Sequence, residues 1–299
     1  MVKLPICPDG PPVSALAAGV WRIHEWGRDI TYRRNWIDAC LDLGIHCFDH
    51  ADIYGGTTCE ALFGDVLRES PTRRERITLI SKCGIRLPGK SADPHVPLLP
   101  NKVYDTSPNH IRLSVDNSLA RLNTDYLDVL LIHRPDPLMD PDAVAEAFTR
   151  MHDEGKVRFF GASNHAPSTL ELLASRLSLP LITNQIELSA WHHAPMRDGT
   201  LDQCLARRMR PMAWSPLGSG RVNEPSPVRD ALLAVATELG ASVEATALAW
   251  LMRHPSRPVP ILGSGRIERL TDQARAANLV LDRAQWFRVY EAGLAGGLP

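Results

Sequence analysis

Eight short apolar runs recur along the chain, at residues 16–21, 45–49, 77–82, 127–133, 157–163, 181–187, 211–215 and 259–262. Their length and content of small, branched and aliphatic residues read as buried strands. Between them lie longer segments with helical punctuation. Residues 33–43 close on Gly44, Ser107-Pro108 opens a segment reaching Leu122, and Asp140-Pro141 opens another that stops at Gly155. Proline at a first helical position loses no hydrogen bond, and glycine past the last turn accepts the left-handed backbone found there. Strand and helix alternating eight times over short connections predict an α/β fold, a (β/α)8 barrel forming one domain over 1–299. An open doubly wound sheet would need fewer units and a glycine-rich first turn. No GxGxxG is present.

Polar residues cluster where four of these runs end: Asp49 and Tyr54 in FDHADIYGG, Lys82 in LISKCG, His133 in DVLLIHRP, and Ser163 and Asn164 in FFGASNH. The carboxyl end of a parallel barrel is where such a fold builds its site. A carbonyl that accepts hydride develops negative charge on oxygen and needs an acid beside it. Tyr54 is the candidate acid. A phenol has a pKa of about 10, and an ammonium such as Lys82 is expected to lower it. Asp49 is the natural counter-ion for Lys82, and His133 would orient the carbonyl oxygen or share the proton. Each residue taken alone also suits a strand cap, a packing ring or a turn. Together they close three consecutive predicted strands.

Composition narrows the partners. The 33 Lys and Arg are scattered among 34 Asp and Glu, giving a formal charge of −1. No basic footprint for nucleic acid or an anionic membrane results, so a small neutral or weakly charged ligand is expected. The six cysteines form no CxxC pair and read as reduced thiols. Pro5, Pro8, Pro11 and Pro12 interrupt the start of the chain, no run is long enough for a membrane span, and a cytoplasmic location is expected. Oligomeric state is left open.

Metal-dependent hydrolysis is the rival chemistry, because Asp49, His50 and Asp52 in DHAD look like a ligand set. Adjacent residues of a strand point to opposite faces, so Asp49 and His50 cannot both aim inward, and no HxH or HExxH accompanies them. No metal is expected.

The Asp49–Tyr54 spacing, the strand-ending Lys82 and the Leu-Ile-His strand of His133 resemble the aldo-keto reductases, and the run CFDHADIYGGTTCEALFG resembles a bacterial branch of oxidoreductases within that family. The resemblance spans almost the whole chain. It implies a nicotinamide-dependent barrel in which Tyr54, Lys82, Asp49 and His133 form the catalytic tetrad. It assigns the nicotinamide carboxamide to Ser163, Asn164 and Gln185 and the stacking surface to Trp214. Ser215, Leu217 and Ser219 match the segment that wraps the pyrophosphate, and Gly19, Val20 and Trp21 the segment near the nicotinamide ribose. In ILGSGRIERLTDQA, Ser264 and Arg269 fall at the phosphate-contacting positions, flanked by the cofactor-binding Gly263 and Gly265, with Asp272 and Gln273 near the adenosine. NADPH is the expected coenzyme, with NADH binding more weakly; many members carry lysine where this chain has Gly263, which makes the expected preference more modest, with Arg266 nearby to compensate in part. The function implied is reduction of an aldehyde or ketone to an alcohol. A nicotinamide-binding regulatory or scaffold member with slow turnover is the alternative.

Two connections are long, 83–106 and 188–200. Trp21, His24 and Trp26 after the first strand, with Trp191, His192 and His193 in the second long loop, either line an aromatic substrate pocket or pack the loops.

Overall fold

The structure, a computed structural model, describes residues 3–90, 98–294 and 297–298. All eight predicted strands form, at Ala17–Gly19, Cys47–Asp49, Thr78–Cys83, Leu127–Ile132, Val157–Ser163, Leu181–Glu187, Met212–Trp214 and Val259–Leu262. They close into one barrel in sequence order, each parallel to its neighbours, the last pairing with the first. An antiparallel hairpin, Lys3–Pro5 with Pro12–Ser14, precedes the barrel. Its Ile6 and Val13 pack with Ala17, Cys47, Met212 and Val259 and plug the amino end.

Two apolar layers result from the period-two alternation of each strand. Ile80, Val129 and Leu131 fill the interior, whereas Phe48, Leu79, Leu130 and Ile132 face the surrounding helices. This alternation settles the direction of the polar residues. Asp49 follows Cys47 inward and Lys82 follows Ile80, while His50 turns outward to meet Phe63, ring centroids 4.5 Å apart.

Helix boundaries follow the expected punctuation. The helix predicted over 33–43 begins earlier, at Ile30–Asp42, because the Asp29 carboxylate accepts from the Tyr32 amide. Ser107 and Asp140 cap helices Pro108–Leu122 and Pro141–Asp153 with their side chains. Gly44 and Gly155 take left-handed conformations at φ 79° and 71°.

In the first long connection, Ile85–Arg86 pairs with Val103–Tyr104, and residues 91–97 of it lie outside the described residues. No single helix among the described residues is long and apolar enough to cross a membrane. All six cysteines are free and buried.

Candidate active site

Backbone geometry delivers Tyr54 to the barrel mouth. Past the second strand the chain enters a short 3-10 turn, Tyr54–Gly56, then helix Cys59–Arg68. Gly55 and Gly56 hold φ of 59° and 62°. A Cβ on Gly55 would stand 2.7 Å from the Cys59 sulfur and 2.9 Å from His24 Nδ1. Glycine is therefore required here for both conformation and space.

Lys82 is 1% exposed, a position where an ammonium needs every donor matched. Its Nζ donates to both Asp49 carboxylate oxygens at 2.8 Å, to the His50 carbonyl at 2.7 Å and to Tyr54 Oη at 2.9 Å. Burial pushes the Lys82 pKa down, but the Asp49 charge and Tyr54 outweigh it, and the net shift is upward. The ammonium stays charged. Tyr54 departs from expectation: burial raises its pKa more than Lys82 lowers it. In this structure the phenol is a firmly protonated donor, with Lys82 restraining the rise rather than producing a net fall.

His133 lies edge-on to Tyr54 at 5.9 Å between centroids. Burial first, then the charges of Lys82, Arg134 and Lys102, hold its pKa well below the usual imidazole range. It is a neutral hydrogen-bonding group at pH 7, suited to orient an oxygen rather than to store a second proton. The four residues expected to act together are thus adjacent. Among the described residues no His, Cys, Asp and Glu group has metal-binding geometry.

A second chain of hydrogen bonds joins the fifth, sixth and seventh strands. Trp214 Nε1 donates to Asn164 Oδ1 at 2.9 Å, Asn164 Nδ2 to Ser163 Oγ at 2.8 Å, and Ser163 Oγ to the Gln185 carbonyl at 2.9 Å. Asn164 adopts φ 59°. The Gln185 amide donates to Asp49 Oδ1 at 2.7 Å, linking this chain to the Asp49–Lys82–Tyr54 group. That bond was not anticipated. Its signal in the sequence is only that both residues face inward near the ends of their strands.

The residues expected at the phosphates lie in irregular backbone. Ser215, Gly218, Ser219 and Gly220 all have positive φ, and Ser219 Oγ donates to Ser215 Oγ at 2.9 Å. Leu217 packs against the outer core. Helix Ile267–Ala274 has no side-chain cap at its start, leaving amide donors free for an anion. Arg269 is exposed on its first turns, and Ser264 Oγ accepts from the Arg266 amide at 3.2 Å. Asp272 accepts from Ser242 at 2.5 Å, and the buried Gln273 amide oxygen has no partner. Nothing lies within 4 Å of a Cβ built on Gly263, so the departure from lysine is chemical rather than steric. A Cβ on Gly19 would meet the Ile261 side chain at 2.8 Å, and Val20 is fully buried. These residues fit an elongated ligand with an amide at one end and anionic groups at the other.

These features agree with the comparisons to known proteins. The profile of the Aldo/keto reductase family matches residues 15–293. The chain belongs to the aldo/keto reductase family. Oxidoreductase YdhF of Escherichia coli (strain K12) is 46% identical over 303 residues, covering 99% of both chains. A 6-dehydroglucose reductase of Agrobacterium fabrum is 40% identical over 282 residues, covering 93% of each. The crystal structure of a thermostable aldo-keto reductase, Tm1743, in complex with the inhibitor epalrestat superposes with a TM-score of 0.84 at 26% identity, covering 98% of this chain and 100% of that one. Membership makes this chain an oxidoreductase of a nicotinamide-using family.

The candidate pocket residues divide. Trp21 is 57% exposed, with its ring 6.4 Å from Tyr54, and forms a wall of the mouth. Trp26 packs on Trp36 and Gly265 beneath the last strand's loop. Trp191 donates to Ser226 and covers Gly218. His193 bonds the Gly293 carbonyl and packs on Tyr290. Loop packing accounts for these three. Arg134, which sequence reasoning passed over, lies over a face of Trp214 with its guanidinium carbon 5.6 Å from the ring centroid.

Proposed function

We propose that this protein reduces an aldehyde or ketone to an alcohol with NADPH, Tyr54 giving the proton to the carbonyl oxygen. The observation that carries the reading is Tyr54 Oη at 2.9 Å from a lysine that also holds Asp49. Bound nicotinamide would supply the hydride. Tyr54 would donate its proton as negative charge grows on the substrate oxygen, and Lys82, fixed by Asp49, would stabilise the phenolate left behind. Neutral His133 would orient that oxygen.

Ser163, Asn164 and Gln185 would hold the carboxamide. Among the described residues no donor reaches the Gln185 amide oxygen, which supports this role beside its bond to Asp49. The Trp214 ring, held in its plane by Asn164, would carry the nicotinamide. Ser215, Leu217 and Ser219 would wrap the pyrophosphate, Gly19, Val20 and Trp21 would border the ribose, and Gly263, Ser264, Gly265 and Arg269 would meet the 2′-phosphate. Asp272 and Gln273 would lie by the adenosine. The relatives named 6-dehydroglucose reductase support a small carbonyl substrate.

Following NADPH absorbance across a panel of aldehydes and ketones tests the proposal. Turnover that depends on Tyr54 is expected. Tight NADPH binding without turnover of any carbonyl would favour the regulatory alternative.

A further inference from the structure

Arg134 is the feature of the site that carbonyl reduction by itself does not require. It follows His133 at the carboxyl end of the fourth strand, half-buried, with its guanidinium against the Trp214 indole. Two other charges near the mouth are matched, whereas Lys102, whose charge also bears on His133, makes no ion pair among the described residues. Lys82 is neutralised by Asp49, and Asp136, two residues beyond Arg134, accepts from the Thr106 amide, the Thr106 hydroxyl and the Leu138 amide. No carboxylate among the described residues lies within ion-pair distance of Arg134, Glu187 at the end of the sixth strand included. Among the described residues the guanidinium makes no hydrogen bond either, so its fork of donors is open to a ligand.

A planar cation laid on an indole loses side-chain freedom before any ligand arrives, and a guanidinium matches a carboxylate with two parallel hydrogen bonds. Its positive charge bears on both Tyr54 and His133, which places it beside the groups that would meet the carbonyl. The Trp21 ring also borders Tyr54, 6.4 Å between centroids.

We propose that Arg134 is a substrate-binding residue that selects carbonyl compounds carrying a carboxylate. The inference rests on the reductase reading above. The acid group would engage Arg134 while the carbonyl oxygen sits between Tyr54 and His133. Specificity would follow from the cost of leaving this cation without a partner when the substrate is neutral.

The test compares 4-carboxybenzaldehyde with its methyl ester, two aldehydes of nearly equal shape, in wild type, Arg134→Gln and Arg134→Lys at low ionic strength. Wild type is expected to favour the acid by about tenfold or more in kcat/KM, expressed in KM, as for a hydrogen bond to a charged group. Arg134→Gln should collapse that ratio toward one, and Arg134→Lys should recover part of it. A wild-type ratio near one, or equal losses on both aldehydes in Arg134→Gln, overturns the proposal.

Binding separates this failure from failure of the reductase reading. 4-(Hydroxymethyl)benzoate and its methyl ester are titrated against the NADP+-saturated protein, following tryptophan fluorescence. If neither aldehyde turns over but the acid binds about tenfold tighter than the ester, and only when Arg134 is present, the anion site stands and carbonyl reduction falls. Equal binding of acid and ester sinks the anion site whatever the turnover.

Discussion

Gln185 donates its side-chain amide to Asp49 Oδ1 at 2.7 Å, joining the sixth strand to the second across the barrel mouth. The residue assigned to the nicotinamide carboxamide is therefore also a brace for the counter-ion of Lys82. Gln185→Leu removes both contacts with little change in volume. It is expected to weaken NADPH binding about tenfold, the scale of one hydrogen bond lost to a buried polar group, and to lower kcat as well. An unchanged NADPH dissociation constant with a reduced kcat would show that Gln185 serves Asp49 alone.

Lys82 lowers the Tyr54 pKa by its charge and its hydrogen bond, against the larger upward effect of burial. Lys82→Met leaves burial opposed only by the smaller effect of the Arg134 charge, so the phenol should move further up. In alcohol oxidation, where phenolate is the working form, the rise of rate with pH should shift to higher pH. Asp49→Asn, which keeps an acceptor for the ammonium, should damage less. An unaltered rate and pH profile in Lys82→Met would show that the lysine only fills the barrel.

On the proposed reading, coenzyme preference would be carried by the last strand and the helix after it. Arg269 is exposed on that helix and Gly263 has open space around it. Arg269→Ala should cost NADPH roughly 1.5–3 kcal/mol of binding, the usual range for a hydrogen bond to a charged group, with little effect on NADH. Gly263→Lys should widen the preference for NADPH. Dissociation constants of both coenzymes decide the matter, and equal weakening of NADH and NADPH in Arg269→Ala would make the arginine structural.

Asp52 gives a prediction about stability. Burial pushes its carboxyl up to about 7, against a hydrogen bond from Ser114, and its Oδ1 is buried without a partner. Its folded pKa lies above the unfolded value of about 3.9. Its favourable contribution is thus complete below pH 4 and lost as pH rises through 7. Asp52→Asn should raise Tm relative to wild type more at pH 8 than at pH 5, reflecting a difference in stability on the order of a few kcal/mol. An equal change in Tm at the two pH values would contradict this.

The strands and the placement of the candidate residues at the barrel mouth were legible because they depend on local rules. Apolar runs with period two place Asp49 and Lys82 inward and His50 outward, and Gly55 and Gly56 mark the turn that carries Tyr54. Contacts between distant strands were not legible. Nothing near Gln185 in the sequence points to Asp49, and nothing near Arg134 points to Trp214. His193 and Trp191 stood open between pocket and packing because aromatic rings in a long loop suit either a ligand or an anchor, and only the positions of Gly293 and Ser226 distinguish the two. The net upward shift of Tyr54 likewise depends on how deeply the barrel mouth buries it, which no spacing reports.

The central claim is that the Tyr54 hydroxyl supplies the proton. Tyr54→Phe keeps the ring and removes only that hydroxyl, and it is measured by single-turnover reduction of an aldehyde by the NADPH-loaded protein, which excludes coenzyme release from the rate. The account predicts a loss of about 100-fold or more, the usual contribution of general acid catalysis, with the NADPH dissociation constant nearly unchanged. Retention of more than about a tenth of the single-turnover rate would contradict it, because general acid catalysis by this residue cannot be worth so little.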